Sequence, residues 1–378
     1  MTKPNKALKI GLVFDDSLDR PDGVQQYIQR IAEYLESQGH EVHFLVGETA
    51  RRDLPNLHSL SKNLKVKFNG NTMSMPLPAS SRQIGRLLDK LQLDVIHVQA
   101  PYSPFMSGKV LKQAWRRNVP VVGAFHILPY SKFVIAGNKF LAACNASTEK
   151  YITEMMAVSP PAQQFAKAIY GYEGRVVPNP IRVADFTFAP GNPNKIPHIL
   201  FLGRLVERKG ALQLLKALSY EKPAVPFRVT IAGRGEMLEE LKRFAQENGL
   251  DNVDFPGFIA ENEKARLLES ADIVALPSIS GESFGISVVE ALAAARGVVL
   301  AGNNPGYASV LHGLPELLVN PLDTASFSNE IIRWLSSPED RSTMAIRQKE
   351  YARQFDIQHV GKQVVDTYER ALQNRSQS

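Results

Sequence analysis

Gly281-Glu282-Ser283-Phe284-Gly285-Ile286-Ser287-Val288-Val289-Glu290, continuing through Ala291-Leu292-Ala293-Ala294-Ala295-Arg296, sets two acids into an apolar run. Ahead of it, Ala271-Asp272-Ile273-Val274-Ala275-Leu276 reads as a short strand closed by Pro277-Ser278. The small residues that follow lead through Gly281 and Gly285 into a Val/Ala/Leu helix that is apolar nearly all round, the pattern of a buried helix. Glu290 is the one acid between Ser283 and Arg296, and a buried carboxylate needs a donor, a cation or a ligand hydroxyl to offset desolvation. Glu282 falls in the loop that enters the helix. Such a helix entry presents free backbone amides and a positive dipole end, which suit the phosphates of a nucleotide, as carboxylates suit sugar hydroxyls. On one helix the two glutamates would lie about 80° apart around the axis and up to about 12 Å apart along it, so they would reach different parts of one long ligand. A salt-bridged core acid plus an ordinary turn acid is the purely structural alternative.

A chain of 378 residues exceeds one ordinary core and suits two domains of about 180 residues each. Its single cysteine, Cys144, excludes an internal disulfide framework and a multi-cysteine metal site; it reads as a small core residue in a reducing compartment. Apolar runs stay short of the roughly eighteen residues of a membrane span, and no signal-type apolar core follows Met1–Lys6 before Asp15. A cytoplasmic location is therefore expected. The net charge of +6 divides unevenly: residues 1–190 carry 23 Lys+Arg against 15 Asp+Glu, and the remainder 21 against 23. A basic first half suits nucleic acid, an anionic membrane or a phosphorylated substrate, and composition alone does not choose. With no RNP motif, zinc finger or repeat period, nucleic acid is the weakest of the three.

Lys9–Phe14 reads as a strand, Asp15–Gly23 as a loop, Val24 to about Ser37 as an amphipathic helix, and Glu41–Val46 as the next strand, a βαβ opening of a doubly wound domain. Gly23 would let a backbone amide approach a phosphate, or is a plain helix-entry turn. Asp15-Asp16 reads as a loop start, and no Asp-x-Asp pattern supports a metal site. In a helix ending near Leu91, Arg82, Arg86 and Lys90 share one face, with Lys109, Lys112, Arg116 and Arg117 on a nearby helix. That stripe is either a solvated face or a seat for anionic lipid. Asp94–Gln99 and Val119–Phe125 are further strands. His126 then sits at a strand's carboxyl end, where open α/β sheets bind ligands, whereas His97 lies within a strand and reads as packing. Past Pro190–Pro197, read as a linker, the βα rhythm repeats, and the last helix runs from about Ile357 to Gln373.

Taken together, Pro21-Asp-Gly-Val-Gln25, Phe125-His126, Phe201-Leu-Gly-Arg-Leu-Val-Glu-Arg-Lys-Gly210 and the Glu-x7-Glu stretch resemble the family 4 retaining GT-B glycosyltransferases, and among them the bacterial phosphatidylinositol mannosyltransferases. Pro178–Phe186 resembles the family's interdomain crossover, with Pro180 in place of the usual glycine. The likeness runs from about Lys9 to Leu372. It implies an α/β fold of two Rossmann-like doubly wound domains facing a central cleft: an acceptor-side domain over 1–185, a nucleotide-sugar domain over 186–355, and a C-terminal helix over 356–378 that crosses back to the first domain.

Carried over position by position, the resemblance makes His126, Arg204, Lys209 and Glu282 the catalytic candidates. Arg204 and Lys209 would hold the donor diphosphate, Glu282 the transferred sugar, and His126 the donor sugar and the acceptor region. Gly23, Ile259, Lys264, Phe284, Gly285, Ile286 and Glu290 would bind the donor, with Glu290 on the ribose and Ile259 and Lys264 at the base. The likeness favours GDP-mannose, with a UDP sugar as the alternative, no added cofactor or metal, and front-face transfer in which the leaving phosphate takes the acceptor proton. A covalent double displacement is the other mechanism. The acceptor is expected to be a phosphatidylinositol-like or other membrane lipid, with Arg82, Arg86, Lys90, Arg116 and Arg117 meeting an anionic membrane and the enzyme peripheral on its inner face. A soluble glycan or small-molecule acceptor, and a non-catalytic sugar-nucleotide binder, are the rival readings. Two departures stand out: Pro21-Asp22 precedes Gly23 where the family has two adjacent glycines, and Ile127-Leu-Pro-Tyr130 follows His126 in place of a small, hydroxyl-rich segment.

Overall fold

A computed structural model describes the chain outside residues 1–6, 20–22, 69–70, 77–78, 100, 102, 130–134, 140–141, 143–147, 189–193, 222 and 377–378. Pro21, Asp22, Tyr130, Cys144 and the first part of the linker, Pro190, Gly191, Asn192 and Pro193, thus lie outside the described residues. The chain divides into two compact units, residues 1–180 with 357–378, and residues 181–356.

The first unit is built on a parallel sheet in the order β3-β2-β1-β6-β7-β8-β9. Its central strands, β1 (Lys9–Phe14), β2 (Glu41–Val46), β6 (Val95–Val98), β7 (Val121–Phe125) and β8 (Glu154–Ala157), are nearly continuous apolar runs. Helices cover both faces of such a sheet, so the side chains past the first residue of each strand are enclosed and period-two alternation is lost. β3 (Leu57–Ser59) and β9 (Arg175–Val176) form the edges. The polar stretch between β3 and β6 holds a separate antiparallel hairpin, β4 (Asn63–Phe68) with β5 (Asn71–Pro76). The Gly23–Ser37 helix buries Tyr27, Ile28, Ile31 and Leu35, the spacing of one helical face. The Ile357–Ser376 helix also belongs to this unit; its Val360, Val364, Tyr368 and Ala371 join the core of β1 and the first helix.

The second unit has the parallel order β12-β11-β10-β13-β14-β15. In chain order this is 3-2-1-4-5-6, the doubly wound pattern in which strand order reverses between the first and fourth strands. Here that point lies between β10 (His198–Leu202) and β13 (Ile273–Leu276), which pair in parallel. β11 (Arg228–Ala232) and β12 (Val253–Gly257) lie to one side, β14 (Val298–Gly302) and β15 (Leu318–Val319) to the other. The Ile286–Ala294 helix is buried along Val288–Ala294, as its all-round apolar sequence predicts. Where the chain enters and leaves this unit, the Ile181 amide donates to the Phe355 carbonyl at 2.9 Å and the Val183 amide to Asp356 Oδ2 at 2.9 Å.

Candidate functional site

The two segments that leave β10 and β13 at the switch point of the second sheet are tied together by charge. Glu207–Lys209 makes a single 3-10 turn, and Gly210 takes φ +78° to start the Ala211–Tyr220 helix. A Cβ there would run into the Pro277 carbonyl, so glycine lets the two segments close. Glu282 Oε1 then accepts from three donors, each at 2.8 Å: Lys209 Nζ, Arg208 Nη1 and Ser278 Oγ. The Ile279 amide donates back to the Arg208 carbonyl at 2.8 Å. Burial works against the Glu282 charge, but the Lys209 and Arg208 cations and these hydrogen bonds outweigh it and hold the carboxyl below its usual range. Burial also pulls Lys209 down; Glu282 opposes that, while Arg208 and Arg204 add to it. Arg204 is itself exposed on the same loop.

A second acid–base pair lies further along the chain. Glu290 is 3% exposed, and Lys264 of the Glu261–Glu269 helix reaches it at 3.0 Å and Glu261 at 2.5 Å. The cation that the isolated acid required is thus Lys264. Ile259 is half-buried just ahead of that helix. Phe284 is buried with its ring edge-on to Phe355, and Ile286 opens the helix behind Gly285. Gly285 has φ +120°, and a Cβ would meet the Tyr307 ring at 2.5 Å.

In the first unit, the corresponding strand ends carry Asp15, Gln99 and His126. His126 is half-buried directly after β7; its Nε2 lies 2.9 Å from Gln99 Oε1, and its ring meets Tyr27 edge-on at 5.0 Å. Burial pushes its pKa down to about 4, so the imidazole is neutral. His97 is a core residue as expected, but a hydrogen-bonded one: its Nδ1 lies 2.7 Å from Tyr368 Oη. Asp15 opens the loop after β1, as read from the sequence, and has a second role there. It is 7% exposed and caps the Met106–Arg116 helix, whose own flanking residue Phe105 offers no side chain for the purpose. Its carboxylate accepts from the Ser107 amide at 2.7 Å and from the Ser107 and Ser103 hydroxyls. Burial raises its pKa to about 6 despite these donors. Gly23 is exposed at the start of its helix.

Arg82, Arg86 and Lys90 are exposed on the Ser81–Leu91 helix, as is Arg116 on the next. Arg117 differs from them, because its guanidinium grips Asp89 at 2.7 and 2.9 Å and Gln113 Oε1 at 2.6 Å. It joins the two helices. Among the described residues no group of three or more His, Cys, Asp or Glu could hold a metal ion. None of the described helices is long and apolar enough to cross a membrane.

Residues 21–185 match the family model for glycosyltransferase family 4, and residues 184–354 that for glycosyl transferases group 1. The phosphatidyl-myo-inositol mannosyltransferase of Mycolicibacterium smegmatis is 30% identical over 369 residues, 96% of this chain and 94% of the relative. The chain is a family 4 glycosyltransferase. The protein of the same name from Mycobacterium leprae is 30% identical over 375 residues, 96% of each chain. Among solved structures, a glycosyltransferase from Rickettsia africae superposes with TM-score 0.77 at 18% identity, over 97% of this chain and 99% of that one. Anabaena HepE, in complex with UDP and glucose, gives 0.74 at 19% identity, over 96% and 99%. The two doubly wound units of this glycosyltransferase are thus those of the GT-B fold. Sequence reasoning missed Arg208, Ser278, Asp15 and Gln99. Arg208 adjoins Lys209 in a loop already singled out, and that adjacency was the one available signal.

Proposed function

We propose that this glycosyltransferase moves mannose from GDP-mannose to a hydroxyl of a phosphatidylinositol-like membrane lipid, with retained configuration and without a metal. The observation that carries the reading is the Glu282 cluster at the switch point of the second sheet. All three donors fall on Glu282 Oε1, so Oε2 is left as the acceptor for sugar hydroxyls. Arg204 and Lys209 are assigned to the diphosphate, where paired cations stabilise the charge that builds on the departing nucleotide. Glu290 takes the ribose hydroxyls, with Lys264 and Ile259 at the base. The Gly285-entered helix and Gly23 supply backbone amides toward the phosphates.

A carboxylate held by two cations is a weak nucleophile, and this favours front-face transfer over a covalent adduct on Glu282. The leaving phosphate then removes the acceptor proton as the new glycosidic bond forms through an oxocarbenium-like state. His126, neutral and at a strand end, is assigned to the transferred sugar and the acceptor hydroxyl. The mannosyltransferase names of the relatives support both mannose and an inositol lipid, and the exposed Arg82, Arg86, Lys90 and Arg116 suit an anionic bilayer. Thermal shift with GDP, UDP and their sugars, followed by transfer to vesicles containing phosphatidylinositol, tests the reading. GDP stabilisation and lipid-linked mannose are expected. Stabilisation by UDP alone, or transfer only to soluble acceptors in the presence of vesicles, would overturn the donor or the acceptor respectively.

A further inference from the structure

Two strand-end side chains of the first unit, Gln99 and His126, form a pair that the sequence motifs do not assign. We propose that Gln99 is a positioning residue for His126: its Oε1 accepts from His126 Nε2–H, which holds the neutral imidazole in the Nε2–H tautomer and presents a bare Nδ1 to a substrate hydroxyl. The inference rests on the reading that His126 faces the transferred sugar.

The geometry supports it on three sides. Gln99 is 2% exposed, and its backbone amide donates to the Val13 carbonyl at 3.0 Å, which anchors the residue to the end of β1. Its Oε1 lies 2.9 Å from His126 Nε2 across the neighbouring strands β6 and β7. Tyr27 wedges edge-on against both imidazoles, at 5.0 Å from His126 and 5.9 Å from His97, and restricts the turning of the His126 ring.

A neutral imidazole has one donor nitrogen and one acceptor nitrogen, and a carbonyl oxygen selects the donor. The Gln99 oxygen, and not its amide nitrogen, is the atom that meets the ring: Gln99 Nε2 is buried without a partner among the described residues. Among the described residues, Tyr27 from the Gly23–Ser37 helix and His97 from β6 are the titratable groups recorded against the His126 ring, with Tyr368 from the Ile357–Ser376 helix behind His97. Burial lowers the His126 pKa, and the Gln99 oxygen is the hydrogen-bond partner recorded at the His126 ring among the described residues.

The test is long-range proton–nitrogen NMR on histidine-labelled full-length protein, with His126→Gln to assign the signal, alongside pH profiles of transfer. Wild type should show a protonated Nε2 and a bare Nδ1 for His126. Gln99→Leu should lose that preference and lower kcat about tenfold with little change in donor KM, and Gln99→Glu should raise the His126 pKa by more than about one unit through the adjacent carboxylate. A purely structural Gln99 would lower stability and leave tautomer and pH profile unmoved. A proton on Nδ1 in wild type, or an unchanged tautomer in Gln99→Leu, overturns the proposal. Absence of transfer from every donor, with the tautomer as expected, would sink the functional reading and leave the pairing standing.

Discussion

Replacing Asp15 by Asn should make the stability of the first unit less sensitive to a rise in pH from about 4 to about 7. The wild-type carboxyl is raised from 3.8 to about 6 in the fold. Between those values the folded protein binds more protons than the unfolded chain, so this group's stabilising share is full below the unfolded value and falls as pH rises through about 6. The separation of about two units corresponds to about 3 kcal/mol in all, of which about 2 kcal/mol falls between about pH 4.5 and about pH 8. Asn keeps a carbonyl for the Ser107 donors, and its amide can donate to Ser103 once that hydroxyl turns. At acid pH the two proteins should therefore match within about 1 kcal/mol, and at pH 8 the variant should be the more stable by about 1 to 3 kcal/mol. Buried His97 and His126, held down to about 3 and about 4, act in the opposite sense, losing their share as pH falls below about 6.5. Both proteins contain them, so they cancel in the difference. The assay is peroxide oxidation of Met106, which is fully buried in the capped helix, across a urea series and resolved by peptide mass spectrometry. A stability difference that stays constant from pH 4.5 to 8 would refute the argument.

Glu290→Ala should weaken sugar-nucleotide binding about tenfold or more by calorimetry, whereas Arg204→Ala and Lys209→Ala should each cut kcat about a hundredfold while the melting temperature stays within a few degrees. Near-wild-type turnover in all three would remove the donor-site assignment. Lys264→Met deprives buried Glu290 of a 3.0 Å cation and should cost about 3 kcal/mol in urea unfolding of the second unit; adding Glu290→Gln should recover most of it. Gly285→Ala must place a methyl against the Tyr307 ring in a conformation L-residues avoid, and should cost about 2 kcal/mol, with Tyr307→Phe giving no relief because the contact is to ring carbon.

Much of the fold was legible because parallel strands and a buried helix announce themselves as uninterrupted apolar runs. Val298-Val-Leu-Ala and the stretch after Gly285 are examples. The requirement that Glu290 have a partner was legible too, since an acid in such a run is costly unless paired. What escaped were partners far away in the chain. Asp15 looks like a solvated loop acid until Ser103 and Ser107 are brought to it, and Arg117 looks like one more surface cation until Asp89 meets it from the preceding helix. Arg208 shows the same limit at short range. A cation in a polar loop has the signature of a solvated residue, and only the approach of the segment after β13 gives it a carboxylate to hold. The Gln99–His126 pair is a matter of register between neighbouring strands, which no local pattern encodes.

The return of the Ile357–Ser376 helix to the first unit sets an order of assembly on the ribosome. The second unit is one continuous stretch, Ile181–Asp356, and can complete its sheet as soon as that stretch has emerged. The first unit begins earlier and finishes later, because Val360, Val364 and Tyr368 supply part of its core and His97 gains the Tyr368 hydroxyl only when the last helix arrives. Synthesis therefore inverts the usual N-terminal-first sequence of domain folding. Until that helix has emerged, the nascent first unit carries an uncovered apolar face, which makes it the half most in need of shielding by chaperones.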